Sequence, residues 1–534
     1  SLAKICNYVP GAGIWLNTQR PEWNDANNAL VGNGCSMVTV YYLKRFLDFF
    51  QEIILQIKTE NINVSSEVLF WFNEVDAEVT KSKNINHTTC SDKERMNYVS
   101  GLGKIFENYR EKIYSSGFST FEKLSLNKLK SFLSKICEQF NETILDNRKK
   151  NGLFDAYNTI NIDSKNQSID KKNLDLMLEG QVAGLSRLSQ NSYNSASTLK
   201  SLFSSSLYRS DMKSFILYPE KKVTPFLKKN IIEPEYLKKS VLLSKMVDQK
   251  NILIVEEDSD GNFRFNPKFR NNFDLFNALK ELPKSEIEDV SFEEELEYIS
   301  KIYELVFNHR NFTGRSGTMF SYEGIGSIYW HMISKLLLAT QENFFLAKNN
   351  KSLESNIIQS LGYYYYKIRD GLSAAKTPKE YGAFPFDPYS HTPSHSGAQQ
   401  PGMTGQVKEE ILTRFGEFGC FVQNGCIMFD TSLLLKEEFL SQKKVFTYFD
   451  ISKTKRSLEI LENQLAYTFC QIPIVYTLTE KDCHINLIFK DNSNIKIEGN
   501  LIDQMRSRSI FDRDGSVNQI EYCINEKFLF NNNI

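Results

Sequence analysis

Neither charge is in excess in this sequence: 64 Lys and Arg stand against 65 Asp and Glu over 534 residues. That balance supplies no field for nucleic acid or for an anionic membrane. Long apolar runs are missing too, and with no uncharged window of about 18 residues no transmembrane helix is expected. The opening SLAKICNYVPGAG lacks a charged segment followed by an apolar one, so no secretory signal is read there. The 9 cysteines are odd in number, scattered and without a CxxC pair. That argues against a zinc site and a disulfide framework, leaving reduced, mostly buried thiols and a cytoplasmic setting as the expectation. Histidine is scarce, at 6 residues, and two of them, His391 and His395, share one loop. Pro393 between them denies the helical i, i+4 geometry a metal would need, so no metal is expected.

What is present is a chain long enough for more than one ordinary domain. Its organising stretch is Val9–Gly34, VPGAGIWLNTQRPEWNDANNALVGNG, which packs glycines around Trp15, Trp23 and short polar side chains. Glycine at this density lets the backbone turn sharply and approach a ligand closely. Cys35–Lys58 follows with apolar residues at helical spacing, so a polar loop feeds a long buried helix. Within the loop, Glu22 and Asp25 flank Trp23 and Asn24, with Asn28 close behind. An indole is a platform for a sugar ring, and by desolvation it raises the pKa of a neighbouring carboxyl. A carboxylic acid kept protonated near neutral pH is the general acid of glycosidic-bond cleavage. The plainer reading of Asn24 or Asp25 is a helix cap in an Asx turn.

The unit of polar loop and buried helix recurs at 9–58, 312–342 and 382–415. Periodicity also predicts helices over Ser119–Leu145, Asn173–Leu188, Phe292–Phe307, Gly326–Gln341, Ser355–Lys367 and Gln406–Arg414. One of Glu409 and Glu410 in the last of these is expected to face solvent. Tyr363–Tyr366 reads as core and groove wall. ILIVEE and FRF around Asp258–Asn262 predict a hairpin with a tight Gly261 turn. The alternating Glu256, Asp258 and Asp260 mimic the start of a calcium loop, but its twelfth position is Pro267 where Glu is needed. From Cys420 onward the pattern alternates and is β-branched, which predicts a β region.

RPEWNDANNALVG resembles the Trp-Asn-Asp segment of inverting glycoside phosphorylases of the cellobiose and chitobiose type. The resemblance implies that Asp25 is the general acid, and Trp15, Arg20, Glu22, Trp23, Asn24 and Asn28 of the same loop are read as substrate-binding. TGRSGTMFSYEGIGSIYW is similar to the family's glycine-rich segment at Arg315, Gly317 and Phe320, with Arg315 implied to contact phosphate. Where the family carries a phosphate-contacting His, this chain has Tyr322 followed by Glu323, a carboxylate able to act as general base for water. Glu323 is equally suited to be a helix-start acid favoured by the dipole. In DPYSHTPSHSGAQQPGMTGQV, Thr404 and Gly405 match the family's phosphate-binding pair at a helix start. Tyr389, His391, His395 and Gln400 of that loop are read as substrate-binding, the two histidines either hydrogen-bonding sugar hydroxyls or simply stabilising the loop.

The fold expected is mainly α: an (α/α)6-barrel-type helical toroid, its second half, with a C-terminal β region. The divisions are 1–58, an active-site loop and barrel helix; 59–290, a helical region with an insertion and hairpin; 291–416, the remaining barrel helices and site loops; and 417–534, the β region. The family carries a β-sandwich and further barrel helices ahead of its Trp-Asn-Asp loop. An upstream segment or companion chain is therefore expected to complete the barrel. The activity implied is cleavage of β-linked gluco-oligosaccharides with inversion, by phosphorolysis or hydrolysis. A module that only binds glycan or protein is the competing class. No cofactor is expected beyond inorganic phosphate as co-substrate.

Overall fold

The computed structural model describes residues 1–17, 30–82, 90–187, 192–217, 228, 230–283, 291–307, 330–350, 352–372 and 407–531. Helix α1 (Leu2–Ile5) leads into a hairpin of β1 (Tyr8–Val9) and β2 (Gly13–Trp15). Gly11 and Gly13 turn the chain there with φ of 73° and 118°. A Cβ on Gly13 would lie 2.9 Å from the Ser36 carbonyl, so that backbone approach requires glycine. Buried amides satisfy the turn, Asn147 Nδ2 donating to the Gly11 carbonyl at 2.8 Å and Asn158 Nδ2 to the Ala12 carbonyl at 2.7 Å. Val9–Ile14 is thus a rigid buried turn, closed to ligands.

Strand β3 (Gly34–Ser36) pairs with β2, and α2 (Met37–Gln56) starts at once. Ser36 caps it, its hydroxyl accepting from the Thr39 N–H at 3.0 Å. Then come β4 (Asn61–Ser65), α3 (Ser66–Lys81), α4 (Asp92–Ser116), β5 (Phe121–Ser125) and α5 (Leu126–Asp146). β4 and β5 pair antiparallel. The helix expected over Ser119–Leu145 therefore begins only at Leu126, because residues 121–125 commit their backbone to β4. Strands β6 (Tyr157–Asp163) and β7 (Ser168–Asn173) complete an antiparallel five-stranded sheet ordered β1-β2-β3-β6-β7. Asn173 closes that sheet, and the helix expected from it starts at Leu178. Next are α6 (Leu178–Arg187), α7 (Ser192–Phe203), β8 (Tyr208–Arg209) and β9 (Ser214–Phe215).

A separate module follows: α8 (Pro234–Lys239), α9 (Val241–Asp248), β10 (Val255–Glu257), β11 (Phe263–Phe265), α10 (Asn272–Lys280) and α11 (Phe292–Phe307). Its core, including Leu243, Met246, Phe265, Leu275 and Tyr303, draws, among the described residues, only on those of the module itself. The hairpin read from the sequence is present as β10 and β11. Asp258 spends its carboxylate inside that turn, accepting from Arg264 Nε at 2.7 Å and from the Asn262 N–H at 2.9 Å. The Arg264 hydrogen bond, first among these contacts, holds its carboxyl well below the usual range.

Helices α12 (Trp330–Asn349) and α13 (Ser355–Arg369) pack against α6 and α7 around Leu178, Val182, Leu199, Leu336, Phe344 and Tyr365, and α14 (Val407–Phe418) lies beside α12. The remaining chain is β12 (Cys420–Gln423), β13 (Cys426–Phe429), β14 (Lys444–Phe449), β15 (Lys455–Ile460), β16 (Gln464–Phe469), β17 (Ile472–Thr479), β18 (His484–Phe489), β19 (Asn494–Glu498), β20 (Leu501–Ile502), α15 (Gln504–Asp512) and β21 (Val517–Asn525). Its main sheet runs β16-β17-β21-β18-β19, with β17 and β21 parallel. Phe530 leaves this region to stack on Tyr366 with ring centres 5.6 Å apart.

Helix accounts for 48% and strand for 24% of the chain. The expectation of a mainly α helical toroid is therefore corrected: this is a mixed α and β structure with several sheets. The strands that overturn it are two to three residues long in the glycine-rich stretch, or rich in Asn, and carry no alternation to read. None of the 9 cysteines is in a disulfide, and five of them are buried. Among the described residues no helix is long and apolar enough to cross a membrane.

Candidate functional site

Helices α2, α6, α12 and α14 form a row, each packed on the next. The Met37 N–H donates to the Ala156 carbonyl at 2.9 Å, while a Cβ on Gly180 of α6 would lie 2.9 Å from Ala156 N. Further along, Arg45 Nη1 reaches the Ser186 carbonyl at 3.5 Å, so α2 and α6 run in parallel. Arg45 also forms a two-bond pair with Glu342 of α12, both bonds 2.9 Å, and Asn343 Nδ2 donates to the Leu185 carbonyl at 3.0 Å. α12 and α14 are parallel too: His331 faces Glu409, and Gln341 Nε2 donates to the Thr413 carbonyl at 2.7 Å.

This direction gathers the ends of the polar loops. The Trp15 indole N–H donates to the Gly32 carbonyl at 3.0 Å, and the Leu16 N–H to the Gly34 carbonyl at 2.8 Å. The two ends of the first loop are thereby stapled together. A Cβ on Gly34 would sit 2.3 Å from that of Leu30, so the return strand passes too closely for any side chain. Leu30 packs with Ala156, Tyr157 and Met177, beside Val38 and Leu217, at the start of α2 and α6. The Leu178 N–H donates to the Leu217 carbonyl at 3.0 Å. Four residues before Leu217, the Lys213 carbonyl abuts Gly371, where α13 ends and the third loop begins. α13 is antiparallel to α12, Tyr365 meeting Gln341 at 3.2 Å, so its end lies at the start of α12. The flanks of the first and third loops and the downstream flank of the second therefore stand at one end of the helix row.

Of the residues expected from the sequence to form the site, Trp15 is described, half-buried against the Val9, Ile160 and Ile169 cluster. Its indole N–H is committed to the staple. Asp25, Arg20, Glu22, Trp23, Asn24, Asn28, Arg315, Tyr322, Glu323, Tyr389, His391, His395, Gln400, Thr404 and Gly405 lie outside the described residues. Sequence reasoning missed His331, in the first turn of α12, and the role of Glu409, in the first turn of α14. The His331 Nε2 to Glu409 Oε1 distance is 3.9 Å, with side chains 28% and 14% exposed. Burial, with the charge of Lys335, pushes the His331 pKa down, against the pull of Glu409. Glu409 and Glu410 are both half-buried, so neither is the solvent-facing residue expected. Burial raises the Glu410 pKa.

Below this end sits a charge network that is structural. Glu417, its side chain 3% exposed, accepts from Tyr365 at 2.6 Å and pairs with Arg369 at 2.7 Å and with Arg414. Arg414 also binds Glu438 at 2.6 Å. Burial alone would raise the Glu438 pKa, but Arg414 holds it down. Tyr365 and Tyr366 are buried here as core, the Tyr366 hydroxyl bonding the Leu433 carbonyl.

Residues 223–310 match the family model described as GH149 phosphorylase insertion domain 2. The matched span contains the module with its own core, which follows the loop flank at Leu217. No curated protein matches the chain. The match relates the chain to glycoside phosphorylases, and so to carbohydrate-active enzymes in general. The family it names is GH149, so the cellobiose and chitobiose type stated from the sequence is not what it supports.

Proposed function

We propose that the chain cleaves β-glycosidic bonds of gluco-oligosaccharides with inversion, by phosphorolysis. The observation that carries this is the match of residues 223–310 to a phosphorylase insertion domain. The common position of those loop flanks supports a site assembled from the three loops. In this reading Asp25 protonates the leaving oxygen while phosphate attacks from the opposite face. Phosphate is already an anionic nucleophile and needs positive or N–H contacts, assigned to Arg315, Thr404 and Gly405. Trp23 carries the sugar ring, with Arg20, Glu22, Asn24 and Asn28 on its hydroxyls. An upstream segment or companion chain is part of the same proposal. It covers the exposed face of α2, where Phe46, Phe49 and Ile53 are 46%, 58% and 39% exposed.

A second reading rests on Tyr322-Glu323, which stands where the resembling family carries its phosphate-contacting His. There Glu323 is a general base that activates water, about 6.5–9.5 Å from the acid as inverting hydrolysis requires. Incubation with β-linked gluco-oligosaccharides, with and without inorganic phosphate, separates the two. Sugar 1-phosphate release that Asp25→Asn abolishes is the expected outcome. Equal sugar release without phosphate, lost in Glu323→Gln, moves the assignment to hydrolysis. Survival of every activity and of binding in Asp25→Asn sinks the catalytic assignment.

A further inference from the structure

Helix α5 ends at Asp146, and the turn after it, residues 148–152, begins with three cations in a row, Arg148, Lys149 and Lys150. The turn is fixed on α7: the Thr198 hydroxyl donates to the Gly152 carbonyl at 3.1 Å and the Ser201 hydroxyl to the Asn151 carbonyl at 2.6 Å. Between turn and helix lies an open cavity of about 490 Å³ whose lining includes the three cations, Asn151, Gly152 and Ser197. Just before Ser197, Ser195 bonds Asn343, which itself bonds the Leu185 carbonyl. The cavity thus opens beside the last turns of α6, away from the loop flanks at its start.

Two of these cations lack a counter-charge. Lys149 pairs with Asp155 at 2.8 Å. Arg148 is half-buried, its guanidinium carbon 5.5 Å from the centre of the Phe154 ring, and Nε makes one long bond of 3.4 Å to the Gly152 carbonyl. Among the described residues neither Nη atom has an acceptor, and no carboxylate pairs with Arg148 or with Lys150. By contrast Arg264 and Arg369, also half-buried, hold Asp258 and Glu417. Burial disfavours the Arg148 charge and lowers its pKa. A desolvated cation in this state costs free energy that a bound anion would offset. We propose that this cavity binds a small phosphomonoester, its dianion held by Arg148 and Lys150. Two uncompensated cations match two negative charges, whereas a carboxylate would leave one unmatched. The guanidinium presents its Nη groups to two phosphate oxygens, and the third is left to Lys150 and the Ser197 hydroxyl. Small-molecule sites span about 300–1,000 Å³, so this volume leaves room for an organic group beyond the phosphate. The site is independent of the reaction proposed above.

The test is calorimetric titration of the full chain with glucose 6-phosphate, adenosine monophosphate, inorganic phosphate and glucose 6-sulfate. At about pH 7.5 the phosphates are mainly dianions, while the sulfate ester is a monoanion. At least one of the two phosphate esters is expected to bind, and the sulfate ester about tenfold more weakly or worse. Arg148→Met, which keeps an apolar stem beside Phe154, is expected to weaken that ester about ten- to a hundredfold. Lys150→Met, at an exposed position, is expected to weaken it by about threefold or more. Circular dichroism checks the fold of both variants. Ester affinity unchanged in Arg148→Met places the anion elsewhere and overturns the site, as does failure of both esters to bind. Binding of inorganic phosphate alone overturns the ester, and equal affinity for the sulfate and phosphate esters overturns the dianion.

Discussion

His331 shows how much one side chain's surroundings decide. Burial disfavours its charged form, so its pKa in the folded protein lies below the ordinary 6.5. The unfolded chain then takes up the proton first as pH falls below about 6.5, and stability drops until the folded pKa is passed. Melting temperatures measured at about pH 7.5 and about pH 5.5 should therefore fall less in His331→Gln than in unsubstituted protein. An equal fall in both would mean the imidazole titrates alike in the two states. Neither His331 nor the exposure of Glu409 was legible in the sequence. Position one turn after a polar loop is visible there, but the pairing of two helices 78 residues apart is not.

At the scale of elements, what the sequence announces is periodicity. α2, α11, α13 and the C-terminal strands stand close to where apolar spacing puts them, because each buries one continuous face. β4, β5 and the five-stranded sheet were hidden. Phe121, Glu122 and Lys123 are exposed and bury no face, and Tyr157–Asp163 carries Asn where strands prefer β-branched residues. The elements are locked by contacts of long sequence separation, above all Glu417 and Glu438, which Arg369 and Arg414 hold between α13, α14 and the chain after β13. Glu417→Gln removes one counter-charge from Arg369 and Arg414, which keep Glu438. A loss of roughly 1.5–3 kcal/mol in urea unfolding is expected, as for hydrogen bonds to a charged group. A loss under about 1 kcal/mol would show the network to be as weak as a surface pair.

At the scale of the molecule, four helices stand in a row with the loop flanks at one end, and the row's outer face on α2 is apolar and open. Phe46 stacks on Phe50 at 5.8 Å, and Phe49, Ile53 and Ile57 extend the stripe. Replacing Phe46 and Phe49 with Ser should reduce self-association by light scattering. The melting temperature should hardly move, since exposed side chains contribute about 0.5 kcal/mol or less to the fold. Unchanged scattering would mean that this face does not drive association. The candidate site was legible only as loop positions, since what brings those loops to one end is the parallel packing of helices far apart in the chain.

Among the described residues the core of the module between Leu217 and Trp330 shares no residue with the other cores, and this has a consequence for how the chain melts. Cooperativity spreads only through shared packing, so heat should be absorbed in more than one step. Scanning calorimetry is expected to resolve a transition of the module apart from that of the helix row. A sugar bound at the row should raise the second and leave the first in place, by mass action on one unit alone. A single transition that shifts as a whole would mean that the chain melts as one cooperative unit despite its divided cores.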